Sequence, residues 1–355
     1  MPSRIDVVCP TYNRAELLKA AVLGVLEQRV RDWRLIIVSD GSTDDTEEVV
    51  RSFDDARISF VAAPHSGHPG GPRNRALELA TAPYVAYLDD DDRWRPNHLE
   101  VLLGLLERGA RWAGTGNVHV AGDGRELNNP SLFGTVWHPD LQLMLPMYEP
   151  SRIGHVRGIA EAAGGWATER IAMEDWDLWL RLAEAGERLT VTGEITVVTR
   201  FDPKSRQRTA EEGFADLVLG TVPSEEAAER VLAEARSAPV RADLRRFFHE
   251  DMRKWLLDMY SSGSMSLPAG RTDRDLVRAW DEMDAKIPVT AELPLTSALT
   301  FRPGADGYAV VIPVPCLGGT HADRVRTLLS TVDRRRLDRL RDLVFSGKDE
   351  AASGR

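Results

Sequence analysis

Four consecutive aspartates, Asp89 to Asp92, separate a short apolar run, Tyr84 to Leu88, from Arg93-Trp94-Arg95-Pro96. Adjacent carboxylates repel one another, and the cost is lowest when a divalent cation sits among them. Carboxylate oxygens suit Mg2+ or Mn2+. A second reading is a solvated acidic turn whose charge favours the helix that opens after Pro96. The residues alone leave both open. Two further groups bear on chemistry. The loop Pro64 to Pro72 carries His65, His68 and three glycines before Arg73. Glycine lets backbone approach a ligand closely, and an arginine at a helix start suits a phosphate; pairing with an acid accounts for Arg73 equally well. The two histidines lack a carboxylate or thiol partner nearby, which favours a polar loop over a metal site. Glu174 and Asp175 open a helical stripe of Leu178, Leu182 and Ala185, where acids are favourable with no catalytic duty.

The elements that must position these groups follow from periodicity. Ile5 to Cys9 reads as a buried strand that stops at Pro10-Thr11-Tyr12-Asn13-Arg14. Leu17, Leu18, Ala21, Val22, Val25 and Leu26 form one helical face. Leu35 to Val38 is a second strand, ending in Ser39-Asp40-Gly41-Ser42, and a helix through Val49 and Val50 follows. Arg57 to Ala62 is a third strand, a helix spans Ala76 to Ala80, and Tyr84 to Leu88 is a fourth strand. This alternation predicts a parallel sheet with right-handed crossovers. No GxGxxG follows the first strand, so a dinucleotide fingerprint is absent. A helix from His98 to Leu106, strands over Trp112 to Val120 and Arg152 to Val156, and one or two strands over Leu189 to Phe201 complete the pattern. The irregular stretch 122–150 has the length of a lid or acceptor-shaping loop. Beyond Gln207 helical patterns dominate, at Glu225 to Ala235, Leu244 to Met259, Leu276 to Met283, Val325 to Leu329 and Leu337 to Val344, with a late strand at Tyr308 to Val314. The expected domains are therefore 1–206, with halves 1–100 and 101–206, and a mainly helical 207–355.

Composition bounds the function. The chain has 355 residues, enough for about two domains, with 43% hydrophobic and 28% charged residues, as in an ordinary soluble protein. A formal charge of −10 without a basic face argues against a nucleic-acid partner. Cys9 and Cys316 lie far apart without metal-ligand spacing, which fits a reducing compartment. No apolar run is long enough to span a membrane, and the chain enters a strand at once, so a cytoplasmic location is expected. The aromatic stripe through Phe247, Phe248 and Trp255 reads as core or as a homo-oligomer interface.

Taken in order, Val-Cys-Pro-Thr-Tyr-Asn-Arg (8–14), Ser-Asp-Gly-Ser-Thr-Asp (39–44), Gly-Pro-Arg-Asn-Arg-Ala (71–76), Tyr-Leu-Asp-Asp-Asp-Asp-x-Trp-x-Pro (87–96) and Glu-Asp-Trp-Asp-Leu-Trp-Leu-Arg-Leu (174–182) resemble family 2 glycosyltransferases over about residues 4–205. The resemblance implies an α/β GT-A fold, a Rossmann-like mostly parallel sheet flanked by helices. It also implies inverting transfer of a sugar from a nucleotide-diphosphate donor, commonly a UDP-sugar, to a saccharide or small-molecule hydroxyl. Carried over by position, Pro10, Thr11, Tyr12 and Arg14 line the nucleotide-sugar site, Asp40 hydrogen-bonds the base, and Arg73 lies near the nucleotide pocket. Asp89 and Asp91 bound the DxD motif and ligate Mn2+ or Mg2+, with Asp91 the direct ligand. Asp90 and Asp92 orient the site or touch the donor sugar, Glu174 belongs to the donor side, and Asp175 is the general base. Spacing alone does not separate Asp175 from Glu174 or Asp177. Where several relatives carry a metal-binding histidine after the last core strand, this chain has Asp202, a further candidate ligand. The Gln-x-x-Arg-Trp signature of processive synthases is missing, which favours single addition. A non-catalytic nucleotide-sugar-binding scaffold and a metal-dependent phosphohydrolase are the competing readings; the second leaves Asp40 and Glu174-Asp175 unexplained.

Overall fold

The computed structural model describes residues 2–127, 148–169, 173–201, 213–286, 299–316 and 334–345. Asp202, the expected helix Val325 to Leu329 and most of the 122–150 loop lie outside the described residues. Contacts divide the chain into two compact units, Met1–Ala210 with Met259–Asp273, and Glu211–Asp258 with Arg274–Arg355.

In chain order the elements are β1 (Ile5–Thr11), α1 (Ala15–Leu26), β2 (Trp33–Asp40), α2 (Thr46–Arg51), β3 (Ile58–Ala63), α3 (Gly70–Leu79), β4 (Tyr84–Tyr87), β5 (Arg93–Trp94), α4 (His98–Glu107), β6 (Trp112–Val120), a 3-10 turn at Pro150–Arg152, β7 (Ile153–Val156), α5 (Ile159–Ala162), α6 (Glu174–Glu184), β8 (Leu189–Arg200), β9 (Gly213–Val222), α7 (Glu225–Ala235), α8 (Ala238–Ser261), β10 (Met265–Ser266), α9 (Asp273–Lys286), β11 (Thr300–Gly304), β12 (Gly307–Cys316) and α10 (Arg334–Val344).

The first unit is built on a sheet of order β10-β8-β6-β7-β4-β1-β2-β3, with β5 paired to β8. β1, β2, β3 and β4 pair in parallel, as the alternation predicts. β7 runs antiparallel to both β4 and β6, and β8 is parallel to β6. The carboxyl ends of β1, β2, β4, β6 and β8 therefore share one edge, where open α/β sheets place ligands. Every residue of β1 is buried, as expected of a strand covered on both faces. Leu18, Ala21, Val22 and Val25 of α1 join Leu99, Leu102 and Leu106 of α4 in the core beneath it. A Cβ on Gly24 of α1 would stand 3.3 Å from the Trp94 backbone, so this glycine lets the helix close on the chain leaving the aspartates. Gln28 then donates to Arg95 O at 2.8 Å and accepts from the Leu99 N–H at 2.9 Å, satisfying a donor at the start of α4.

Two expectations change. The helix expected from Ala76 begins at Gly70, because Pro72 sits in the first turn, where a missing N–H costs nothing. Residues 207–355 are not one continuous body: Met259–Asp273 belongs with the first unit, since Met265–Ser266 adds a parallel strand to Val191–Thr192 of β8. In the second unit the helices predominate among the described residues. They accompany a three-stranded antiparallel sheet, β11-β12-β9, whose core includes Leu219, Val222, Leu232, Val310 and Val344. No helix among the described residues is long and apolar enough to cross a membrane.

Asp6 is fully buried in β1 and accepts from Arg34 Nε and Nη2 (3.0 and 2.9 Å) and from the Thr81 and Ala82 N–H groups (2.6 and 2.8 Å). Removing it takes the carboxylate from Arg34 and the acceptor from two backbone donors together. Asp6→Ala is expected to cost roughly 3 kcal/mol in the transition that unfolds the first unit. Urea titration followed by tryptophan fluorescence measures it, and an unmoved midpoint would contradict the assignment.

Candidate active site

Because Thr11 and Ser39 are register partners in β1 and β2, the loops that follow them start side by side. Asn13 takes a left-handed conformation (φ 51°) that sends its N–H to Ser42 Oγ at 3.0 Å and its Oδ1 to the Thr43 N–H at 2.7 Å. Pro10 and Thr11 are buried; Tyr12 is exposed and lies against the His65 ring, centroids 4.3 Å apart. Asp40, at the end of β2, is buried. Its Oδ1 accepts from the N–H and hydroxyl of Ser66, both at 2.7 Å, and its Oδ2 from the Gly67 N–H at 2.9 Å. Asp40 thus fixes the 65–67 loop under Tyr12. Gly41, with φ 74°, is required here, since a Cβ would meet His65 at 2.9 Å. The histidine pair does not assemble: His65 faces Tyr12, while buried His68 accepts the Gly70 N–H through Nδ1.

The four aspartates alternate. Asp90 and Asp92 are buried, whereas the side chains of Asp89 and Asp91 are 25% and 24% exposed. Asp90 accepts from Thr11 Oγ1 at 2.8 Å and Arg14 Nη1 at 3.0 Å, and the same Arg14 nitrogen reaches Asp91 at 3.0 Å. Asp92 accepts the Arg200 N–H at 3.0 Å, and the Asp89 N–H donates to Ser151 Oγ at 2.9 Å. Burial raises the Asp90 carboxyl above its ordinary range against the pull of Arg14. Burial, then the charges of Asp89 and Asp90, push Asp91 up to about 6. Asp92 rises well above its usual value through burial, then repulsion from Asp91 and Asp89.

Arg73, in the first turn of α3, is 3% exposed. Its Nη2 donates to Asp89 Oδ1 at 2.6 Å and its Nη1 to Glu174 Oε1 at 2.9 Å, with the guanidinium 4.3 Å from the Trp166 ring centre. Burial opposes its charge, but the two carboxylates outweigh that and raise its pKa. The structure therefore brings the acidic run and the start of α6 to one guanidinium. It also separates three acids that spacing could not. Glu174 pairs with Arg73, Asp177 pairs with Arg181 at 2.7 Å, and Asp175 makes no ion pair among the described residues. Asp175 is 3% exposed, and burial followed by the Glu174 charge pushes its carboxyl up to about 7. Ser66, Ser151, Asn74 and Trp166 were not singled out from sequence; only Asn74 stands inside a motif that was.

No group of three or more His, Cys, Asp or Glu side chains forms a ready-made metal site among the described residues. The donor set still fits Mg2+ or Mn2+. Such ions are held by one or two carboxylates with substrate phosphates completing the shell, and Asp89 and Asp91 are the two partly exposed acids of the run.

The strand order and this edge define a GT-A glycosyltransferase fold. Residues 6–163 match the model of the family Glycosyl transferase family 2. An Escherichia coli protein named UDP-Glc:alpha-D-GlcNAc-diphosphoundecaprenol beta-1,3-glucosyltransferase WfgD is 26% identical over 180 residues, 50% of this chain and 69% of that one. A Campylobacter jejuni GalNAc(5)-diNAcBac-PP-undecaprenol beta-1,3-glucosyltransferase is 35% identical over 123 residues, 34% of this chain and 38% of its own length. A Bacillus subtilis protein named for teichuronic acid biosynthesis, TuaG, is 36% identical over 127 residues, 35% of this chain. The chain matches about half of TuaG's length, 50%. Among solved structures, S. aureus TarS 1–349 in complex with UDP-GlcNAc superposes with a TM-score of 0.51 at 18% identity, covering 65% of each chain, a likeness of fold.

The Asp175 shift has a sign. The folded chain holds this proton up to about pH 7, whereas an unfolded aspartate releases it near pH 4, so stability falls as pH rises between them. Asp175→Asn is expected to raise the unfolding free energy at pH 8 by on the order of 3 kcal/mol and to leave it unchanged below about pH 4. Thermal melts across that range read the difference; equal melting of the two proteins at pH 8 would refute it.

Proposed function

We propose that this chain is an inverting, metal-dependent glycosyltransferase. It moves a sugar from a nucleotide-diphosphate donor, a UDP-sugar, to a hydroxyl of a saccharide or small-molecule acceptor. The observation that carries the reading is the shared guanidinium. Arg73 spans Asp89 and Glu174, so the acids suited to a cation and the isolated carboxyl of Asp175 belong to one site. The donor and the saccharide-lipid acceptor in the E. coli relative's name support the choice of substrates.

In this reading Tyr12 and the loop fixed by Asp40 receive the nucleotide. A Mn2+ or Mg2+ ion held by Asp91 and Asp89 would offset the charge that builds on the departing diphosphate. Asp175 takes the proton of the acceptor hydroxyl as its oxygen bonds to the anomeric carbon. The bond to the diphosphate breaks on the opposite face, so the configuration inverts. A base raised toward neutrality is suited to this, since it is ionised at working pH yet still accepts a proton readily.

Asp91→Ala is expected to fold while losing the Mn2+-dependent part of its UDP affinity, measured by titration calorimetry with and without the metal. Equal affinity in the variant would remove Asp91 from the metal site. Asp175→Asn should bind UDP within about threefold of wild type while turnover falls at least about 100-fold. Wild-type turnover should decline about tenfold per unit as pH falls below about 7. A flat profile, or an active Asp175→Asn variant, would place the base elsewhere.

A further inference from the structure

Gly70, Arg73 and Asn74 stand at i, i+3 and i+4 in the first turns of α3 and so share one face. All three meet the segment that leads to α6. A Cβ at Gly70 would lie 2.2 Å from Ala167 O, so the helix and that backbone are in direct contact. Asn74 Nδ2 donates to Trp166 O at 2.9 Å, and its Oδ1 accepts the Trp166 N–H at 2.8 Å. Gly165 beside it has φ 72°, and a side chain there would strike Asn74 Oδ1 at 2.8 Å. Trp166, so held, covers the face of the Arg73 guanidinium, whose two ends are engaged by Asp89 and Glu174.

This geometry leaves Arg73 poorly placed to grip a diphosphate. Both terminal nitrogens bond carboxylates, Trp166 covers one face of the guanidinium plane, and Nε is itself buried, shielded from solvent. We propose that Arg73 is a positioning residue and not a nucleotide ligand: a buried two-ended spacer that sets Asp89 and the Glu174-Asp175 turn at a fixed separation and cancels the Glu174 charge beside Asp175. The proposal rests on the glycosyltransferase reading above and adds a role that the family resemblance does not give this residue. A planar fork is needed for it. A lysine keeps the charge but gathers its donors on one freely rotating nitrogen, so it lacks the two separated nitrogens in a fixed plane that set the two carboxylates apart.

The test uses the full chain with Mn2+ and UDP-sugar, measuring turnover and, by calorimetry, UDP affinity for wild type, R73K, R73Q, E174Q and R73Q/E174Q. R73Q strands Glu174 next to Asp175, and E174Q in that background removes the stranded charge. The expected result is a turnover loss of about 100-fold in R73Q and at least about tenfold in R73K, with UDP affinity within about threefold of wild type in both. The double variant should recover at least about tenfold over R73Q. UDP affinity falling in step with turnover would make Arg73 a nucleotide ligand and overturn the proposal. So would a double variant no faster than R73Q, or R73K turning over like wild type. If R73Q does not fold, R73K alone decides by its turnover against its UDP affinity. A wild-type chain without turnover on any nucleotide sugar sinks the functional reading and this proposal together; wild-type turnover with R73K unimpaired sinks the proposal only.

Discussion

Negative charge that outnumbers its partners is the constraint on which the first unit turns. Of six carboxylates, Asp89 to Asp92 with Glu174 and Asp175, four pair with the guanidinium groups of Arg14 and Arg73, and Asp92 and Asp175 make no ion pair among the described residues. Taking an unpaired carboxylate out of water costs several kcal/mol, so the surplus must be spread, hydrogen-bonded or neutralised by protons. The chain does all three. Asp90 and Asp92 turn inward to Thr11, Arg14 and the Arg200 N–H. Asp89 and Asp91 keep partial access to solvent, and the raised pKa values of Asp91, Asp92 and Asp175 register what remains unbalanced. A cation arriving with a diphosphate would relieve this same imbalance, which ties the electrostatics of the fold to the proposed chemistry.

Much of this architecture is legible in the sequence. β1 and β2 carry the apolar runs Val7 to Cys9 and Leu35 to Val38 because both faces are covered, and periodicity finds α1, α4 and α6 from their buried stripes. What escapes is governed by contact instead of pattern. Gly70-Gly71-Pro72 reads as loop by propensity, yet it opens α3, since Gly70 answers to the Ala167 carbonyl and not to helix preference. β9 and β11 carry Gly213, Gly220, Pro303 and Gly304, which blur the alternation that would announce strands, so the second unit's sheet was hidden behind its helices.

The site divides in the same way. Residue types and their order along the chain are visible, and the five motifs do lie at one edge or beside it. Partnerships are not visible. Arg73 is 16 residues from one of its carboxylates and 101 from the other, and no local rule joins them. Asp40 is expected to face a base; its oxygens also hold Ser66 and Gly67, 26 and 27 residues away, a partnership that no local pattern announces. Nor could spacing separate Glu174, Asp175 and Asp177, because the distinction is that Glu174 meets Arg73 and Asp177 meets Arg181, whereas Asp175 makes no ion pair among the described residues.

The sheet order explains why the acidic run is held so fully. β4 stands between β1-β2-β3 and β7-β6-β8, so the chain leaving it can be gripped from both flanks. Thr11 reaches it from the end of β1 and Arg14 from the loop that follows. From the other flank come Ser151, which precedes antiparallel β7, and the Arg200 N–H at the end of β8. Trp94, just beyond the run, donates to Ser151 O at 2.8 Å, and Arg73 closes the third side. A carboxylate so constrained needs little rearrangement when charge develops near it, and preorganised groups of this kind contribute the larger share of electrostatic catalysis. The same grip limits tolerance. The run is a turn, with the Asp92 N–H donating to Asp89 O at 3.1 Å, so an inserted residue would break that hydrogen bond and draw the acids away from Thr11 and the Arg200 backbone.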